Sequence, residues 1–115
     1  TYADKGVKLD RAESLIRRAL EIEPDNGYIL DSMGWVFYKK GEYEKAITYI
    51  EKALSKVSDD PVILEHMGDV LLKLSKRARA LDYYRRARKN TAEDEDREEL
   101  AKKIESVQSK KGFKP

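Results

Sequence analysis

Leu30-Asp31-Ser32-Met33-Gly34-Trp35-Val36-Phe37 has a counterpart one interval further along the chain, Leu64-Glu65-His66-Met67-Gly68-Asp69-Val70-Leu71. Leucine, methionine, glycine and valine recur at matching places. A second set recurs three times at the same interval: Ala12, Ala46 and Ala80; Ala19, Ala53 and Ala87; Ile16, Ile50 and Tyr84. Agreement at apolar and small positions together marks an internal repeat, and a period of this length belongs to stacked supersecondary units.

Within each period the apolar spacing is helical. Leu30, Met33, Gly34 and Phe37 fall at i, i+3, i+4 and i+7, and Ala46, Ile47, Ile50, Ala53, Leu54 and Val57 follow the same rule. Gly41 lies between the two runs, where a tight turn needs a residue without Cβ. Small residues at 34, 46 and 53 let neighbouring backbones approach. The unit is a helical hairpin that cannot bury its own apolar face alone, and stacking hairpins buries it.

The pattern Leu30-x-x-Met33-Gly34-x-x-Phe37 followed by Ala46-x-x-x-Ile50-x-x-Ala53 resembles the tetratricopeptide repeat. The third unit matches at Leu64, Met67, Gly68, Leu71, Ala80, Tyr84 and Ala87, and the first through Ala12, Ile16, Ala19 and Pro24. The resemblance implies an all-α, right-handed helical-hairpin solenoid of about two and a half repeats plus a C-terminal capping helix. It divides the chain into a truncated repeat at 1–26, repeats at 27–60 and 61–94, a capping helix at 95–110 and a frayed tail at 111–115. Leu30 and Leu64 replace the aromatic that opens the motif, and Ser58 and Ala92 stand where proline usually closes it. Residues 1–8 read as the last turn of a first helix and a longer turn, with Asp10 capping the next helix and Glu13 completing a capping box. The chain looks like the C-terminal part of a longer bacterial protein of this family.

At the far end, Thr91 reads as an N-cap, and acids at 93–96 suit the positive end of a helix dipole. Leu100, Ile104 and Val107 form a thin apolar stripe, as a solvating cap requires.

Composition narrows the function. The 115 residues carry 24 basic and 22 acidic side chains, a net charge of +2. That balance argues against a dedicated nucleic-acid or membrane-surface binder. Cysteine is absent, so thiol and disulfide chemistry are excluded. No apolar run is long enough to span a bilayer. Abundant Lys, Arg and Glu suit a thermophilic source. His66 with Glu65 and Asp69 offers too few good ligands for zinc. Glu98 and Glu99 read as solvated helix acids. No nucleophile–base pair, phosphate loop or triad appears, so neither an enzyme nor a cofactor is expected.

In this family the first helices of successive hairpins line a concave groove. Carried onto this sequence, the resemblance assigns to it Tyr28, Asp31, Trp35, Tyr38 and Lys39, then Val62, Glu65, Asp69, Leu72 and Lys73. The helix supports this independently: 28–40 is apolar nearly all round, and Tyr28, Trp35 and Tyr38 lie off the core face, where a surface helix normally is polar. Such aromatics suit an anchor for a protein or peptide partner, for a missing upstream helix, or for a second copy. Acids at 31, 65 and 69 would repel a C-terminal carboxylate, so the expected ligand has basic, aromatic or aliphatic character. Two alternatives stand beside the groove: a structural array end without a ligand, and nucleic-acid binding through the basic run Lys73, Lys76, Arg77, Arg79, Arg85, Arg86, Arg88 and Lys89.

Overall fold

A computed structural model describes residues 2–109, with side chains described at position 6 and from 8 onward. Six helices lie among them: α1 (Tyr2–Ile22), α2 (Gly27–Lys39), α3 (Tyr43–Lys56), α4 (Pro61–Lys73), α5 (Arg77–Lys89) and α6 (Asp94–Ser109). They form two compact units, 1–58 and 59–115. The tail at 111–115 lies outside the described residues.

In the first unit, α2 packs against both α1 and α3. Asn26 starts α2, its side-chain oxygen accepting from the Tyr28 and Ile29 backbone N–H groups at 2.9 and 3.2 Å. That satisfies two donors the helix cannot pair internally. The cap sets the phase, so Leu30, Met33 and Phe37 turn inward and are buried with Ala46, Ile50 and Ala53 of α3. Gly34 permits the approach: a Cβ there would lie 2.6 Å from Ile50 Cγ1 and 3.1 Å from the Ala46 carbonyl oxygen.

The second unit repeats these devices one period on. Asp60 caps α4 through the Val62 and Ile63 N–H groups at 3.0 and 3.1 Å. Pro61 takes the first turn, where no N–H is needed. Ile63, Leu64, Met67, Val70 and Leu71 are buried with Ala80, Leu81, Tyr84 and Ala87 of α5, and α6 adds Leu100, Ile104 and Val107. At Gly68 the close neighbour is Tyr84, the periodic equivalent of Ile50, with its ring 2.5 Å from where a Cβ would stand.

Both hairpin turns close alike. Glu42 N–H reaches back to the Phe37 carbonyl at 2.8 Å, and Lys76 N–H reaches the Leu71 carbonyl at 2.9 Å. The residue between has a left-handed backbone in each, Gly41 at φ 81° and Ser75 at φ 61°. This type of helix ending requires that conformation.

Two local expectations are corrected. No turn interrupts residues 2–22: α1 runs straight through Asp10, which therefore caps nothing. A single glycine inside a helix costs only about 1 kcal/mol. Gly6 lies within α1 and outside the left-handed region, so its presence marks no turn. The Asp10 carboxylate instead accepts from Lys40 Nζ at 2.6 Å. Thr91 is likewise no N-cap. Its hydroxyl donates to the Ala87 carbonyl at 2.6 Å, finishing α5, and α6 begins only at Asp94.

Candidate functional site

The ten predicted residues fall on two helices, five on α2 and five on α4. On α2, Trp35 and Tyr38 stack with ring centroids 4.4 Å apart and planes 14° from parallel. The Tyr43 ring, from the first turn of α3, leans on Tyr38 at 5.8 Å. Lys39 Nζ lies 5.3 Å from the Trp35 centroid and 6.0 Å from that of Tyr38. Both distances allow a cation–π attraction. Both stacked rings are half-buried, whereas Tyr28 is 59% exposed two turns earlier. Asp31 is buried at 8% exposure, so this face offers a ligand aromatic surface far more than acid. Lys39 and Tyr43 also border an open cleft of about 820 Å³, with Leu9 and Asp10 of α1 on its other side.

On α4, Val62 is exposed, Glu65, Asp69 and Leu72 are half-buried, and Lys73 is exposed. The two carboxylates are engaged within the unit. Tyr84 donates its hydroxyl to Asp69 Oδ1 at 2.5 Å, and Lys103 Nζ reaches Glu65 at 2.7 Å and Asp69 at 3.1 Å. Burial opposes the Lys103 charge, yet the hydrogen bond to Glu65 and the nearby Asp69 charge outweigh it and raise the pKa above the ordinary lysine value. The same ammonium lies 5.3 Å from the Tyr84 ring centroid.

Two residues of this arrangement escaped the sequence. Tyr43 joins the α2 stack from across a turn. Lys103 stands one repeat period after Asp69, so Trp35, Asp69 and Lys103 occupy one register position on α2, α4 and α6. Extending the period into α6 would have found it. Among the described residues no group of three or more His, Asp or Glu is placed to hold a metal. None of the described helices is long and apolar enough to cross a membrane.

The family profile described as tetratricopeptide repeat matches residues 1–97. This chain belongs to the tetratricopeptide repeat family. Its relatives include the TPR repeat-containing protein PA4667 of Pseudomonas aeruginosa, 41% identical over 46 residues, which are 40% of this chain and 8% of that protein. Among solved structures, the thermophilic TPR protein TTC0263 of Thermus thermophilus matches with a TM-score of 0.77 and 25% identity, over 87% of this chain and 50% of its own. PcrH, solved in complex with the chaperone binding region of PopD, matches with a TM-score of 0.76 and 20% identity, over 94% of this chain and 88% of its own. The chain thus spans half of the Thermus protein and a small part of the Pseudomonas one. These likenesses place its TPR hairpins in the helical-repeat solenoid class.

Proposed function

We propose that this TPR chain is a non-catalytic scaffold that holds a protein or peptide partner on the face of its first helices. The observation that carries this reading is the Trp35–Tyr38 stack, with Tyr43 tilted against it and Lys39 over it, beside an open cleft. Rigid aromatics lose little conformational entropy on binding and bury much area, which is why they dominate interface energetics. A packed hairpin presents them preorganised, so little ordering opposes association. PcrH, which shares the fold, was solved with the chaperone binding region of PopD. In the second unit the corresponding α4 positions offer Val62 as an exposed apolar element, with Glu65 and Asp69 already paired to Lys103.

The test is affinity capture from a lysate of the source organism with wild type and with Trp35→Ala/Tyr38→Ala of equal helicity. Loss of a captured protein in the double variant supports the α2 face. Capture of the same protein by both moves the site elsewhere. If wild type captures only itself and its sedimentation depends on concentration, the stack pairs two copies of the chain.

A further inference from the structure

Arg85, Arg88 and Lys89 fall at i, i+3 and i+4 on α5 and therefore share one face. Arg97, from the start of α6, joins them, and the four line a shallow cleft of about 190 Å³. All four are exposed, and among the described residues none of these side chains makes an ion pair or hydrogen bond. The chain elsewhere pairs Arg17, Lys40, Lys45, Lys56 and Lys103 with acids.

Folding alone accounts for part of the grouping. Cations at the end of α5 suit its dipole, which covers Arg88 and Lys89. Arg97 sits at the wrong end of α6 for that effect, and although Glu93 and Asp94 precede it by one helical turn, it still lines the cleft with three like charges, a placement the dipole leaves unexplained. Three of the four are arginines, whose planar forks match the oxygens of carboxylates and phosphates.

The geometry points to an anion-binding cleft between α5 and α6 that takes an acidic segment of a partner protein through its carboxylate or phosphate groups. Its scale fits one or two oxyanions rather than a tracked polyanion backbone. The net charge of +2 gives little long-range pull on nucleic acid. Tyr83, the half-buried aromatic of α5, has the Arg86 guanidinium 4.9 Å from its ring centroid. That face is taken and offers no stacking platform for a base. The basic run read from the sequence is thus divided: Arg86 covers Tyr83, Arg77 is engaged elsewhere, and 85, 88 and 89 converge with Arg97. This cleft is a second site and does not rest on the α2 reading.

The experiment is fluorescence anisotropy with three labelled probes: an octaglutamate peptide, a phosphoserine peptide of equal length and an oligouridine. At low salt one of the peptides binds the wild type, the tighter one identifying the preferred oxyanion, and added salt weakens it. Arg85→Ala/Arg97→Ala weakens that peptide about tenfold, whereas Arg79→Ala/Lys102→Ala, the same charge change at positions outside the cleft, stays within about twofold. Arg85→Lys/Arg97→Lys keeps charge without the fork and lies between. Equal losses in both alanine pairs, no peptide binding by the wild type, or oligouridine binding more tightly than either peptide would overturn the proposal.

Discussion

Ser75 holds, at φ 61°, the left-handed backbone position that Gly41 holds at φ 81° one repeat earlier. The two turns share the same closing hydrogen bond, so the conformation is dictated by the hairpin and not by the residue. A side chain there costs about 1–2 kcal/mol in local sterics, while glycine costs about 0.5–1 kcal/mol in unfolded-state freedom. Ser75→Gly is therefore expected to stabilise the chain by about 0.5–1 kcal/mol, and Gly41→Ala to destabilise it by about 1 kcal/mol. Urea unfolding checks both: the midpoint moves and the slope does not.

The helix-packing glycines differ in what they face. At Gly34 a new Cβ would press on Ile50, a buried aliphatic side chain that no hydrogen bond tethers, and the Ala46 carbonyl is also close. At Gly68 it would enter the Tyr84 ring, which is fully buried and tethered through its hydroxyl to Asp69. Overpacking of this kind costs about 1–3 kcal/mol, and the gain in helix propensity returns only about 1 kcal/mol. Gly68→Ala should lie at the costly end and Gly34→Ala nearer the other, read as the difference in thermal midpoint. In a Tyr84→Leu background, Gly68→Ala should cost less than it does in the wild type, the signature of a steric coupling between the two positions.

The parts of this molecule that recur were legible in the sequence. Leu30 and Leu64, Gly34 and Gly68, and Ala46 and Ala80 announce hairpins because burial repeats with the helix period. The turn at Gly41 was legible from residue type, and the Ser75 turn only from the period. What failed was local reading against tertiary context: Gly6 and Asp10 suggest a turn, yet α1 runs through them, and Thr91 suits an N-cap but bonds backwards. At the candidate site, the aromatic character of α2 was visible. The partners of Glu65 and Asp69 were not, because Lys103 lies 38 and 34 residues away and looks in sequence like one more solvated charge.

Lys40 ties the end of α2 to α1 through Asp10 and Glu13, at 2.6 and 2.8 Å. Hydrogen bonds from Lys40, then Arg17, hold the Glu13 carboxyl below its ordinary value, with burial opposing them. A depressed folded pKa means the contribution is present above the unfolded carboxylate pKa and disappears as pH falls through the folded one. Glu13→Gln should therefore cost about 0.5–1 kcal/mol at neutral pH, the range of solvent-screened pairs. Its stability curve should rejoin that of the wild type in acid, below the usual carboxylate range. A constant gap down to the lowest pH would mean Glu13 acts by packing and not by charge.

Lys103 poses the converse case. Its ammonium is shared by Glu65 and Asp69, while Asp69 also keeps the Tyr84 hydroxyl. Lys103→Met preserves the aliphatic stem beside Tyr84 and removes only the charge. Asp69 retains one donor and Glu65 is open enough to rehydrate, so the loss should be about 0.5–1.5 kcal/mol and not the larger penalty of an orphaned, fully buried ion. Because the folded pKa is raised, the wild-type advantage is complete below the ordinary lysine range and fades as pH climbs through the folded value. Lys40 titrates upward of its usual value too, but in both proteins, so the difference between their unfolding curves isolates Lys103. A gap that is level from about pH 6 to about 9 and closes in stronger alkali is the expected result. A gap that persists there would show that the stem, and not the ion pair, holds α6 to its unit.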